Sequence, residues 1–313
     1  MFILIKNNLK KSFTTWIYLL KIMIPIIIIL KILEYFNIIP IIGKILKPIM
    51  NLLGLPGSMG IVWATAMINN IYSGIIVLTS LPESQNLTIA QMTVLATIIL
   101  IAHSLPIELK IVQKSGPKML FQFFCRFFSA LIIGFFLNYI YRNFNLLQDK
   151  ANIILSISHN DDLFIWSINQ IKNLFYIFFI IFILILIIDF IEKTKLLNIF
   201  NKLLKPILNL LDIKDKGLIL TMVGLTMGLS YGGGILIEES KSGTIPKEEI
   251  FTSLTLMGLS HSIIEDTILM LFIGAHLSGI LFIRVIMSIL IVSIIVRIMK
   301  ILPLNLKEKI LYA

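Results

Sequence analysis

Two stretches of this chain place small, polar and charged residues inside otherwise apolar sequence. The first is Ser230-Tyr231-Gly232-Gly233-Gly234, followed by Glu238 and Glu239; the second is Ser260-His261-Ser262, followed by Glu265 and Asp266. Broken helices and carboxylates persist in an apolar surrounding only where protein or a water-filled cavity satisfies them. Their cost there makes them functional by default. A helix broken mid-way frees N–H groups on one side, which attract anions, and carbonyls on the other, which attract cations. The glycine run lets backbone approach a ligand closely. His261 and Glu265 stand four apart and share a face if the helix has resumed between them. That spacing suits a polar solute, a coupling proton or cation, or a metal with further ligands. A catalytic metal needs about three protein ligands, and only Glu238 or Glu239 is at hand to complete such a set. The expectation is therefore no metal site, and no cofactor beyond a coupling proton or Na+. A tight hairpin tip and an interhelical hydrogen bond are the bland readings of the same residues.

The chain that must position them is a membrane protein by composition. Its 313 residues are 58% hydrophobic and 14% charged, against about 25% charged in a soluble domain, and the mean hydropathy is +0.96. The basic start (Lys6, Lys10, Lys11) runs into an apolar segment without a small-residue cleavage site, which predicts no removable signal. The net charge of +10 is read as lysine collected in loops and at helix ends, not as a nucleic-acid surface. The single cysteine, Cys125, excludes an internal disulfide and a cysteine metal cluster. Ser262 beside His261 points away from it on a helix, and no serine–histidine–aspartate arrangement is readable, so no enzyme is expected.

The second half of the chain repeats the first. Lys47-Pro48 matches Lys205-Pro206, His103-Ser104 matches His261-Ser262, Glu108 matches Asp266, Gly116 matches Gly274, and Arg126 matches Arg284. Each pair is separated by the same offset (261 − 103 and 284 − 126 both give 158), and Tyr72 and Tyr231 differ by one more. An intramembrane arginine needs a partner. The pairs Glu108–Arg126 and Asp266–Arg284 are therefore expected as structural salt bridges.

The boundaries predicted are a basic interfacial helix over 1–15, a first repeat over 16–142, a polar extracytoplasmic connection over 143–170, a second repeat over 171–302 and a cytoplasmic tail over 303–313. Each repeat holds spanning helices, a short interfacial helix (40–54 in the first), an interrupted segment (57–81 in the first) and a helix broken at His-Ser. If the interrupted segment folds back as a re-entrant hairpin, each copy crosses three times and the copies are inverted. Charge favours that choice. It gathers Lys110, Lys114, Lys118, Lys193, Lys195, Lys202, Lys205, Lys214, Lys216, Lys300, Lys307 and Lys309 on one side, with both termini in the cytoplasm; Lys44 and Lys47 dissent. The fold class expected is an all-α integral membrane protein of two inverted repeats.

At GGGILIEES, at SHSIIEDT, and at the glycine and Arg284 beyond them, the sequence resembles the nucleoside-recognition or "Gate" membrane family. That family includes the spore maturation proteins A and B and the gate segments of ferrous-iron transport protein B, and is distantly similar to concentrative nucleoside transporters. The resemblance covers about 40–140 and 196–300. The first copy departs from the pattern, with Tyr72-Ser73-Gly74 in place of the triple glycine and Pro106-Ile107-Glu108 in place of Ile-Glu-Asp. No phosphate-binding loop of a GTPase is present. The resemblance implies a transporter-like fold with hairpins and broken helices meeting at the midplane.

The function expected is a secondary transporter of a small polar solute, nucleoside-like or related, in the plasma membrane. Its site is expected from Asn69, Asn70, Tyr72, Ser73, His103 and Ser104 of the first copy. Ser230, Tyr231, Gly232, Gly233, Glu238, Ser260, His261, Ser262 and Glu265 complete it from the second. The alternatives are a non-transporting assembly or morphogenesis factor and a cation or metal permease. The partners expected are membrane lipid and the solute, with a homo-oligomer or a paired homologous subunit left open.

Overall fold

The computed structural model describes residues 2–153, 162–194, 196–229, 237–240 and 243–312. Among these residues the chain is helical, with no named strand. The first half runs through α1 (Phe2–Tyr35), the amphipathic α2 (Ile39–Leu52), two short helices α3 (Met59–Ile68) and α4 (Ile71–Ser80), then α5 (Ile89–Ile101), α6 (Leu105–Lys114) and α7 (Met119–Asn143). The second half runs through α8 (Leu163–Lys193), α9 (Leu196–Leu210), α10 (Asp215–Met227), α11 (Lys247–Ser260), α12 (Glu265–Leu271) and α13 (Arg284–Ile301). A π-helical turn, Ser278–Ile283, leads into α13, and α14 (Leu304–Ile310) closes the described chain.

Among the described residues, six segments are long and apolar enough to cross a membrane: Lys6–Tyr35, Ile89–Lys114 and Met119–Asn143 in the first half, Leu163–Ile191, Lys247–Leu271 and Ser278–Ile301 in the second. Three crossings per copy is an odd number, so the second copy enters from the opposite side and the repeats are inverted. The interrupted segment of the first copy does not cross. At about 1.5 Å per residue, α3 and α4 are each about 15 Å long, half of the roughly 30 Å hydrocarbon core. They fold back on each other, with Gly74 so close to α3 that an added Cβ would stand 2.9 Å from the Ala66 Cβ and 3.3 Å from the Val62 carbonyl oxygen. Asn70 starts the return helix by accepting the Ser73 N–H at 2.9 Å, the side-chain cap that a helix N-terminus requires.

The repeat is visible in the backbone itself. Left-handed residues recur at matched positions: Gly54 (φ 68) with Asp212 (φ 59), Ser104 (φ 49) with Ser262 (φ 46), and Gly116 (φ 115) with Gly274 (φ 85). The two broken helices form the centre. Of their most apolar stretches, 83% (Ile89–Lys114) and 78% (Lys247–Leu271) is buried, against 22–39% for the other four spans. A helix apolar all round belongs in the interior, and α5 is of that kind; α11 is buried from Ile250 to Ser260 although it carries Thr252, Ser253, Thr255 and Ser260.

Contacts at the chain ends gather the lysine-rich connections together. Lys118 donates its backbone N–H to the Leu311 carbonyl at 2.7 Å and its Nζ to the Lys309 carbonyl at 2.5 Å. Lys300 pairs with Asp212. A surface cavity lies between Asn7, Lys10 and Lys11 at the start of α1 and Asp189 near the end of α8. Both chain ends and the 108–118 and 192–216 connections therefore occupy one end of the molecule.

Two expected boundaries shift. Residues 1–15 form no separate interfacial helix, because α1 runs unbroken from Phe2. The second repeat begins before 171, since α8 starts at Leu163, where Asp162 caps it by accepting the Phe164 N–H at 2.7 Å. The 303–313 segment is a helix followed by a strand-like contact of Tyr312 with Pro117.

The close approach at Gly74 generates a prediction. Gly74→Val should push α3 and α4 apart at a cost of about 1–3 kcal/mol, the range for overpacking, and lower the thermal midpoint and folded yield of detergent-purified protein. An unchanged melt would show that the two helices do not pack there.

Candidate functional site

Breaking a helix in the interior leaves carbonyls without intrahelical donors, and each copy satisfies them with a buried arginine. In the first copy Arg126 donates from Nε to the Ile101 carbonyl at 2.8 Å and from Nη2 to the His103 carbonyl at 3.0 Å. In the second Arg284 donates from Nε to the Leu259 carbonyl at 3.2 Å and from Nη2 to the His261 carbonyl at 2.8 Å. A guanidinium at the C-terminal end of a helix also opposes the partial negative charge there. Each break is further tied to its copy's short helix, by Ser104 N–H to the Ala66 carbonyl at 3.0 Å and Ile263 N–H to the Leu225 carbonyl at 2.8 Å.

The two breaks meet. His103 and His261, equivalent residues, approach to 3.2 Å between their Nε2 atoms, with ring centroids 4.9 Å apart. Equivalent residues touch one another only at a two-fold axis. Trp16 Nε1, bonded to the carbonyl of its own equivalent, Leu174, at 2.8 Å, marks the same axis. The Nδ1 atoms of the histidines face the carbonyls of Ile99 at 3.0 Å and Met257 at 2.8 Å. A carbonyl only accepts, so each Nδ1 carries a proton, and the Nε2 atoms face each other; in the neutral form of a ring that Nε2 is a bare acceptor. Glu108 joins them: its Oε1 lies 3.3 Å from His261 Nε2 and 3.6 Å from His103 Nε2, while its Oε2 takes Arg126 Nη1 at 2.5 Å. All four side chains are buried, at 5% exposure or less.

The copies then diverge. Glu108 and Arg126 form an ion pair, but Asp266 and Arg284 do not: no ion pair joins them within 4 Å, and Asp266 Oδ2 and Arg284 Nη1 are both buried without a hydrogen-bond partner. The expected second salt bridge is corrected on this point. Asp266 is one methylene shorter than Glu108, and the π-helical turn ahead of Arg284 breaks the α-helical register that its counterpart keeps in α7. Asp266 is nonetheless within Coulombic reach of Arg284, Glu265 and Glu108.

The expected pairing of His261 with Glu265 on one helix face also fails. The helix has not resumed between them: α11 ends at Ser260, Ser262 is left-handed, and α12 begins at Glu265. Glu265 is only partly buried. Glu108, expected only as a salt-bridge partner, takes the place beside His261. Sequence offered one signal for it: the first copy keeps a carboxylate at the position of Asp266 but lengthens it.

The other expected site residues scatter in role. Ser73 and Asn70 are spent on each other at the start of α4, where Ser73 Oγ donates to Asn70 Oδ1 at 3.1 Å, and Asn69 ends α3. Tyr72 is partly buried and within Coulombic reach of Glu265 and Asp266, across the junction of the halves. Ser104 is partly buried at the first break. Ser260 is spent on the Leu256 carbonyl at 3.1 Å, and Ser262 is buried at the second break. Glu238 is exposed and outside the buried cluster. Ser230, Tyr231, Gly232 and Gly233 lie outside the described residues. Gln122, which sequence did not single out, donates to Thr255 Oγ1 at 2.8 Å and ties α7 to the other half's broken helix.

The difference between the arginines is measurable. Arg126→Leu strands a buried carboxylate as well as two carbonyls, and removing one partner of a buried pair costs about 3–5 kcal/mol. Arg284→Leu strands two carbonyls and removes a Coulombic neighbour of Asp266, but breaks no hydrogen-bonded ion pair. The first should be the more destabilising by thermal melt, and Glu108→Gln should recover part of the loss in the double variant. Equal losses without recovery would mean that the Glu108–Arg126 pair carries no stability.

Comparison with known proteins agrees with this architecture. Residues 16–115 match the model of the Gate family, described as nucleoside recognition. The match falls on the first repeat, although the motifs quoted above are fuller in the second. The chain is 25% identical over 283 residues to the uncharacterized membrane protein YvoD of Bacillus subtilis (strain 168), covering 88% of each chain. No solved structure matches. Residues 16–115 are thus similar to the Gate family's model, in a multi-pass membrane protein that is similar to YvoD along most of its length.

Proposed function

We propose that the protein is a secondary transporter of a small polar solute, handled where the two broken helices meet. One observation carries this reading: equivalent residues of two inverted repeats, His103 and His261, are in contact at the pseudo-two-fold axis. Inverted repeats place substrate and coupling-ion sites at such a junction, and exchanging the conformations of the two copies opens it to alternate sides. The copies differ in the way that exchange needs. One arginine is closed onto its carboxylate and the other is not.

The unpaired Asp266 Oδ2 and Arg284 Nη1 are a buried acceptor and a buried donor. Groups of that kind are rarely left unmade, and together they suit a solute that both donates and accepts hydrogen bonds, as nucleosides do. The lysine-rich end, with both chain termini, is read as cytoplasmic on the positive-inside rule, and the membrane as the plasma membrane.

Flux in proteoliposomes under an imposed proton or Na+ gradient tests the reading, with nucleosides and nucleobases as the first solutes. Asp266→Asn replaces the carboxyl without breaking a hydrogen bond to any described residue, so it should leave the melt unchanged. It should lower solute flux about tenfold or more, as expected for a lost buried hydrogen bond of about 1–3 kcal/mol. Wild-type flux in this variant would remove Asp266 from the site. Absence of flux in the wild-type protein for every solute tried would favour an assembly factor.

A further inference from the structure

The geometry points to a binding site for a small divalent transition cation, held by His103 Nε2, His261 Nε2 and Glu108 Oε1. Each of these atoms is an acceptor. The Nδ1–H groups are committed to the carbonyls of Ile99 and Met257, which leaves both Nε2 lone pairs facing inward. With both rings neutral, three acceptors stand within 3.2–3.6 Å of one another and repel unless a positive species lies between them. The spacings say which species fits. A tetrahedral cation with bonds of about 2.0–2.1 Å has ligand–ligand edges of about 3.3 Å, and the three separations here are 3.2, 3.3 and 3.6 Å. The three residues are also close enough as a group, all ligand atoms lying within 4.8 Å of one another.

The surroundings complete the argument. Histidine ligands in metal sites donate their second nitrogen to a carbonyl or carboxylate, which fixes the tautomer and the ring, and both histidines do so here. Glu108 is oriented from its other oxygen by Arg126. Two imidazoles and one carboxylate suit cations of intermediate softness, such as Zn2+ or Co2+, and leave at least one position open. Mg2+ and Ca2+, which prefer oxygen shells, are poorly served. The site draws one histidine from each repeat, so it forms only when the two halves are closed on each other. This inference holds whether or not the protein moves a polar solute.

Full-length protein in detergent, stripped of metal and titrated with Co2+, tests it. One Co2+ per chain is expected, with visible d–d bands of a four- or five-coordinate nitrogen–oxygen site, displaced by Zn2+ and weakened on acidification as the imidazoles take protons. His103→Gln and His261→Gln should each reduce affinity by more than the about 10–100-fold that loss of an outer-sphere partner costs, while exposed His276→Gln leaves it unchanged. Should the His103 and His261 variants not fold, X-ray absorption on the wild-type protein reads the shell directly, and two imidazoles are expected in it. Folded wild-type protein that takes up no stoichiometric Co2+ or Zn2+ would assign the gap to a proton and overturn the inference. So would binding that survives both substitutions, or a shell without imidazole. Stoichiometric binding without solute flux would support the metal site and remove the permease reading.

Discussion

The structure depends on one constraint: a helix cannot be broken in an apolar interior unless the carbonyls at the break find donors. Arg126 and Arg284 supply them, from the last spanning helix of each copy, through the same two nitrogens to residues at the same two positions. Arginine suits the task because its planar fork presents several donors in fixed geometry and keeps its charge when buried. With the breaks capped, the chain can hold left-handed residues at Ser104 and Ser262 and turn His103 and His261 into the core. Salt bridging is a secondary use of these arginines, made by one of them and not by the other.

The near-symmetry of the halves makes their differences informative. Glu108 is long enough to reach both its arginine and the histidine of the opposite copy. Asp266, at the same place in the second copy, pairs with neither. One half is thereby knotted at the axis while the other keeps an unpaired donor and an unpaired acceptor. The polar junction therefore has a closed part, where acceptors converge on a cation-sized gap, and an open part, where hydrogen-bonding capacity is unspent. In the readings proposed above, a cation and a polar solute make different demands, and these two parts would meet them separately.

Around this junction the remaining elements act as frame. The re-entrant pair α3 and α4 fills the space beside α5 without crossing, which keeps the first copy at three spans, so the second copy enters from the opposite side. The outer spans are largely exposed, as lipid-facing helices are, and the broken ones are enclosed by them. The 116–118 turn is held to the chain's last residues by backbone hydrogen bonding, so the lysine-rich end of the first copy is fastened to that of the second.

Sequence alone determined what is local or repeated. Apolar runs and sparse charge place the chain in a membrane. The constant separation of His103 from His261 and of Arg126 from Arg284 marks the duplication, and Pro106 with the His-Ser pairs marks the breaks. The positions of polar residues within apolar stretches fixed where the junction would be. Tertiary structure decided which residues meet there. Spacing along the chain reports a shared face only while the helix is continuous, so His261 and Glu265 looked like a pair although a left-handed residue separates them. The contact between His103 and His261 joins opposite copies. The reach of Glu108 to both rings, and the failure of Asp266 to reach its arginine, turn on one methylene and one π-helical turn. Contacts of that kind are set by how two halves pack against each other, and no periodicity in the chain records them.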